Sequence, residues 1–159
     1  MREMSPEKRL MVKDVCDPKK MHSLLIDENE SVNKVIEAFG KKPALRGIFI
    51  IDRERKLIGV ITRLDLLKWA KYKLRVGIDS EVIAPISEIK RYVYSTKVKE
   101  LIGKSNINAY VRPGDEVTSA LSLMLSQDLI DVPVVDENGR ILGDLKLSEI
   151  LTKILQIQQ

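Results

Sequence analysis

Thr62 and Asp65, in the run Gly59-Val60-Ile61-Thr62-Arg63-Leu64-Asp65, combine side-chain types and spacing that could do chemistry. The apolar residues up to Ile61 read as a strand and those after Arg63 as a helix, so Thr62 stands at the junction. A helix start offers free backbone N–H groups and the positive end of the helix dipole, both suited to phosphate oxygens. Thr-x-x-Asp ahead of an apolar run also answers a simpler need, as an N-cap with an acidic residue at the third helical position. Other reactive types are sparse. Cys16 and His22 are each single, and no motif of known chemistry surrounds either. No nucleophile–base pair can be assembled from them, and the chain is expected not to be an enzyme. One cysteine forms no internal disulfide, and there is no cysteine–histidine cluster for zinc. Cys16 reads as a small, partly buried apolar residue and His22 as a surface one.

The elements that must position Thr62 and Asp65 occur twice. Residues 48–67, IFIIDRERKLIGVITRLDLL, align without a gap on residues 132–151, VPVVDENGRILGDLKLSEIL, at an offset of 84. Asp52/Asp136, Gly59/Gly143 and Leu67/Leu151 are identical, and pairs such as Ile50/Val134, Leu57/Ile141 and Asp65/Glu149 are conservative. Upstream, with a small loop difference, Ser31 to Phe39 matches Glu116 to Met124, and Val12-Lys13-Asp14-Val15 resembles Val98-Lys99-Glu100-Leu101. Such self-similarity marks a repeated structural unit.

Each unit reads as a short strand (Ser23 to Ile26; Ala109 to Val111), then an amphipathic helix with its apolar stripe at Val32, Val35, Ile36 and Phe39 or at Val117, Ala120, Leu121 and Met124. Two apolar runs follow, Ile48 to Ile51 and Leu57 to Ile61, joined by a polar separator. In the second copy that separator holds Asn138-Gly139, a tight-turn signal, so the pair is a β-hairpin. A second helix follows at once, from about Arg63 to Leu74 and from about Leu147 to Ile157. The fold class is α/β (α+β): two tandem β-α-β-β-α units with a crossover helix on each small sheet. One such unit buries too little surface to be stable alone, so the copies are expected to share a core. The expected divisions are a loose tail at 1–9, a first domain at 10–74, a connection at 75–95 with a short helix from Ile86 to Tyr94, and a second domain at 96–159.

With 44% apolar and 31% charged residues the chain should be globular. No run approaches the roughly 18 apolar residues of a membrane span, and the charged start is unlike a signal peptide, so the expected location is the cytoplasm. The net charge of +4 would suit an anionic partner, but basic and acidic residues alternate and one Trp, two Phe and four Tyr offer little stacking surface, so nucleic acid is not the expected partner. Leu64, Leu66, Leu67, Trp69, Ala70 and Leu74 spread apolar groups round more than one side of the helix that begins at Arg63. The surplus face is expected to pack in a homodimer, the alternative being contact between the two repeats of one chain.

The tandem order, with Ile48-Phe49-Ile50-Ile51-Asp52 and Val132-Pro133-Val134-Val135-Asp136 before the hairpin turns and a glycine and a later acid after them, separated in the first copy by two apolar residues and three more, resembles the CBS-domain family over residues 12–157. The resemblance implies a flattened module of paired domains with clefts between the repeats, frequent dimerisation, and binding of AMP, ADP, ATP or S-adenosylmethionine, with no required cofactor. It implies that Thr62 and the helix start face phosphate and that Asp65 accepts the ribose hydroxyls. Arg46 would be a phosphate ligand, Gly47 beside it would belong to the nucleotide-binding set, and Val15, Ile48 and Ile61 would line an adenine slot, with Lys146 reaching phosphates across the cleft from the other repeat. Lys146 and Glu149 stand where Thr62 and Asp65 stand in the first copy, which puts a second site in doubt. The function expected is a regulatory module acting on an unknown protein target. The alternative is a structural dimerisation scaffold without a ligand.

Overall fold

The computed structural model describes residues 9–21, 23–45, 47–75 and 85–158. The elements in order are α1 (Val12–Val15), β1 (Leu24–Asp27), α2 (Val32–Lys41), β2 (Ile48–Ile51), β3 (Leu57–Ile61), α3 (Arg63–Arg75), α4 (Ile86–Val93), a 3-10 turn (Val98–Leu101), α5 (Lys104–Ile107), α6 (Val117–Gln127), β4 (Asp131–Val135), β5 (Ile141–Lys146) and α7 (Leu147–Gln158). The first repeat is a three-stranded sheet in the order β1-β2-β3, with β1 parallel and β3 antiparallel to β2. Ser31 starts the crossover helix α2 by accepting the Asn33 N–H, and Val32 and Val35 bury its apolar stripe.

Both hairpins turn by the same device. The Asp52 carboxylate accepts from the N–H groups of Glu54 and Lys56, and Asp136 does the same for Asn138 and Arg140. Gly139 takes the left-handed conformation at φ 82°, and its counterpart Arg55 adopts it too, at φ 68°. The hairpin tips then pair with each other: the Leu57 N–H donates to the Gly139 carbonyl and the Ile141 N–H to that of Arg55.

The second sheet departs from expectation. Instead of a strand from Ala109 to Val111, only Val111 pairs, as a single parallel bridge to Val134 beside the β4–β5 hairpin. Pro113 has no N–H to continue a ladder, and a turn closed by the Arg112 N–H on the Asp115 carboxylate pulls the chain away.

The repeats interlock. α1, at the start of the first repeat, is fastened to the second by Val12 N–H to the Asp115 carbonyl and Lys13 N–H to that of Pro113. The 3-10 turn at the start of the second repeat is fastened to the first by Val98 N–H to Glu30 and Lys99 N–H to Glu28. Two buried apolar clusters result. One gathers Val32, Val35, Ile48, Ile50 and Ile61 with Val98 and Leu101; the other gathers β4, β5 and α6 with Val12. Strand residues alternate faces, so Phe49 and Val60 of the first hairpin point into the second repeat's cluster. That is why the β2 run is apolar throughout: both faces are covered.

Candidate functional site

The end of β3 and the start of α3 open onto a cleft of about 380 Å³, within the usual range for small-ligand pockets. Its floor is Gly47, Ile48, Ile61 and Thr62; Phe39, Leu45 and Leu66 form an apolar wall. The second repeat closes the far side through Asp128, Leu129 and Ile130. Gly47 is required by packing, because a Cβ there would lie 2.8 Å from Ser23 Oγ and 3.0 Å from the Phe49 ring. At the mouth Arg63 Nη2 lies 2.7 Å from Asp128 Oδ2, both side chains largely exposed. This pair was not anticipated from the sequence, because the two residues are 65 positions apart. Arg63 is thus an exposed cation at the first turn of α3, paired with Asp128.

Thr62 and Asp65 form the capping arrangement that their spacing suggested. The Asp65 N–H donates to Thr62 Oγ1, while the Thr62 N–H and hydroxyl donate to Asp65 Oδ2, both at 2.9 Å. Two further donors complete the network: Asn106 Nδ2 at 2.8 Å from Asp65 Oδ2 and the Tyr92 hydroxyl at 2.6 Å from Oδ1. Asp65 is consequently buried, at 6% exposure. Burial, reinforced by the hydrogen bond to the Asp65 carboxylate, pushes the Tyr92 phenol well above its ordinary range and keeps it a proton donor. Asn106 also donates to the Val60 carbonyl and accepts the Gly103 N–H, so it ties the second repeat to the end of β3. No sequence signal marks these partners, since Tyr92 and Asn106 lie 27 and 41 residues from Asp65.

The structure therefore brings Gly47, Ile48, Ile61 and Thr62 to one cleft, with Asp65 directly behind Thr62. Val15 is elsewhere, beside Glu149 and Lys153 in a shallower depression. Arg46 lies outside the described residues, as does His22.

Lys146 also stands apart. It sits in a buried polar cluster, its Nζ 3.1 Å from Asp144 Oδ1 and 3.2 Å from Glu149 Oε1, and the Glu149 carboxylate folds back to accept the Lys146 N–H. Ser23 Oγ lies 2.8 Å from Asp131 Oδ2 and 3.0 Å from Asp144 Oδ2. One hydroxyl proton cannot serve two carboxylates. Burial, with Asp144 beside it, pushes the Asp131 carboxyl up to about 8, so Asp131 carries its own proton at neutral pH. Burial works against the charge of Asp144, yet its hydrogen bonds to Asp131 and Lys146 hold its carboxyl below the ordinary range. Lys146 shifts up, because its contacts to Asp144 and Glu149 outweigh its burial. The positions that correspond to Gly47 and Thr62 of the first cleft, Asp131 and Lys146, thus carry the chain's own charges, engaged with one another through Asp144.

Burial also pushes the Cys16 thiol up to about 11, so little nucleophilic thiolate exists at neutral pH. Among the described residues no group of three or more His, Cys, Asp or Glu is placed to hold a metal ion, and no helix is long and apolar enough to cross a membrane.

Comparison with known proteins adds an independent line. The family model described as CBS domain matches residues 9–72 and 98–156. An uncharacterized 17.7 kDa protein of Acidianus ambivalens is 26% identical over 117 residues, which span 74% of this chain and 58% of that one. The uncharacterized protein MJ1426 of Methanocaldococcus jannaschii is 21% identical over 161 residues, covering 92% of both. Among solved structures, a CBS domain-containing protein of Thermotoga maritima superimposes with a TM-score of 0.70 at 26% identity, covering 94% of this chain and 96% of that one. CBSX2, solved in complex with AMP, gives 0.66 at 23% identity over 94% and 99%. The CBS domain pair of protein MJ0100, solved with 5′-methylthioadenosine and S-adenosyl-L-methionine, gives 0.60 at 18% over 95% and 99%. The last two likenesses establish the fold.

Proposed function

The chain belongs to the CBS-domain family, and on that premise we propose that it is a non-catalytic regulatory module that binds one adenosine-type ligand in the cleft at the start of α3. The observation that carries this reading is the convergence of Gly47, Ile48, Ile61 and Thr62 on a single cleft with a helix N-terminus at one end and an apolar wall at the other. That combination suits a ligand with an anionic end and a flat apolar end. The adenosine compounds held by CBSX2 and by the MJ0100 domain pair support the same class. AMP, ADP and ATP fit this description, with S-adenosylmethionine as the alternative. In the bound state the adenine lies over the floor formed by Ile48 and Ile61, Thr62 and the first N–H groups of α3 receive a phosphate, Arg46 and Arg63 neutralise it, and Asp65 accepts the ribose hydroxyls. Val15 and Lys146, placed away from the cleft, are left out of the binding set.

A homodimer accompanies this reading. Leu64, Leu67 and Leu74 of α3 are exposed, as are Leu151, Ile154, Leu155 and Ile157 of α7, although each repeat's apolar stripes are already satisfied. The site of action is proposed to be the cytoplasm and the target a separate protein.

One observation favours a second reading, the structural scaffold without a ligand: the Asp65 carboxylate is already fully served by donors of the chain itself. Calorimetric titration with AMP, ADP, ATP and S-adenosylmethionine separates the two. Saturable heat at one site per chain supports the module; silence with all four at millimolar concentration supports the scaffold.

A further inference from the structure

We infer that Tyr92 and Asn106 form a latch that stands in for a ribose on Asp65, so that an adenosine ligand must displace them and in doing so frees α4. The inference rests on the nucleotide reading of the cleft proposed above.

A carboxylate offers about four acceptor positions. Asp65 uses them on four donors: the Thr62 N–H, the Thr62 hydroxyl, the Asn106 amide and the Tyr92 hydroxyl. A ribose diol needs two of those positions. The Thr62 donors belong to the cap of α3 itself and stay wherever the helix stays. Tyr92 arrives from α4, at the far end of the connection between the repeats, and Asn106 from α5 in the second repeat, and they present an O–H and an N–H as a vicinal diol presents two hydroxyls. They are the exchangeable pair.

The displacement has somewhere to go. α4 lies along α3, held near its N-terminal end by Glu88, whose carboxylate receives Lys68 Nζ at 2.7 Å and the Tyr72 hydroxyl at 3.1 Å. At its C-terminal end one hold is Tyr92, whose ring is tilted against that of Tyr72 with centroids 5.8 Å apart and which reaches past it to Asp65. Losing the Tyr92–Asp65 bond loosens that end of α4, where Arg91 packed against Gly103 and Val93 packed on the apolar cluster remain as the other holds. The chain beyond α4 runs into the Val98–Leu101 turn that plugs the first repeat's core, so occupancy of the cleft is transmitted to the connection between the repeats. The apparent affinity is lowered by the fraction of molecules whose latch is closed, and a weaker latch raises it.

The test titrates AMP, ATP and S-adenosylmethionine into wild type, Tyr92→Phe, Asn106→Ala and the control Tyr94→Phe, whose ring is exposed. It also follows amide hydrogen exchange across residues 86–93 with and without saturating ligand. The expected result is about tenfold tighter binding for Tyr92→Phe, tighter binding for Asn106→Ala, no change for Tyr94→Phe, and faster exchange of α4 in ligand-bound wild type. Binding of equal strength in all four proteins, with α4 exchange unmoved, overturns the latch and leaves the nucleotide reading standing. Absence of binding in every variant overturns both. If Tyr92→Phe does not fold, the wild-type exchange and Asn106→Ala decide the question.

Discussion

Lys146 Nζ lies 3.1 Å from Asp144 Oδ1, and both side chains are almost wholly shielded from water. A buried charge pair of this kind is strongly destabilising when one partner is removed, because the other is left uncompensated. Lys146→Met is therefore expected to cost about 3 to 5 kcal/mol in chemical unfolding, whereas pairing it with Asp144→Asn should recover a large part of the loss. Ligand affinity in the first cleft should be unchanged.

The same cluster makes stability depend on pH. An unfolded aspartate releases its proton near 3.8, but folded Asp131 holds its proton up to about 8. Between those values the folded chain binds one more proton than the unfolded chain, so this group makes stability fall as pH rises, by up to about 1.4 kcal/mol per unit. Asp144 acts oppositely: its contribution is present above about 3.8 and lost on acidification. That of Lys146 is present below its ordinary value of 10.5 and lost above it. Asp131→Asn is expected to flatten the decline from pH 5 to 8 and to stabilise the chain at pH 7.5, as read by urea unfolding across that range.

Asp65 and Glu149 should respond differently to truncation. Asp65→Ala removes a ribose acceptor and strands the buried Tyr92 hydroxyl and Asn106 amide. Binding should weaken at least tenfold, and stability should fall by about 2 kcal/mol or more, beyond the roughly 1 kcal/mol of a lost cap. Glu149→Ala should change ligand affinity little. A stability loss for Asp65→Ala with unaltered affinity would leave only the capping role.

The exposed leucines of α3 and α7 should bury one another between two copies. Light scattering at micromolar concentration is expected to give about 36 kDa, twice the 18.1 kDa of the chain. Leu67→Glu should give folded monomer, because Leu67 is 62% exposed within one chain and its charge would meet water there. A wild-type mass of 18 kDa removes the dimer.

The repeat, the hairpins and the start of α3 were legible in the sequence, because each follows from local patterns: the apolar runs of β2 and β3 round a polar separator, Asn138-Gly139 at a turn, Thr62 before an apolar run. The motifs name Ile48, Ile61 and Thr62, and tertiary packing brings them to one cleft with Gly47. The interlocking was not legible, since α1 and the Val98–Leu101 turn look like parts of their own repeats and only the main-chain bonds to Asp115 and Glu30 reveal the exchange. The same holds for the partners of Asp65 and for the Arg63–Asp128 pair, which tertiary packing brings together across long stretches of chain. Lys146, expected to reach across the cleft, pairs instead with Asp144 two residues away on the same strand, and the sequence does not say that both are buried.

The central claim is tested most directly by calorimetry of the wild-type chain with AMP, ATP and S-adenosylmethionine, with thermal unfolding followed in parallel. The account predicts one saturable site per chain for at least one of them, and about 2.7 kcal/mol of added stability at a hundredfold excess over its dissociation constant. No heat and no shift in Tm with any of the three at millimolar concentration, or two equivalent sites per chain, would contradict it.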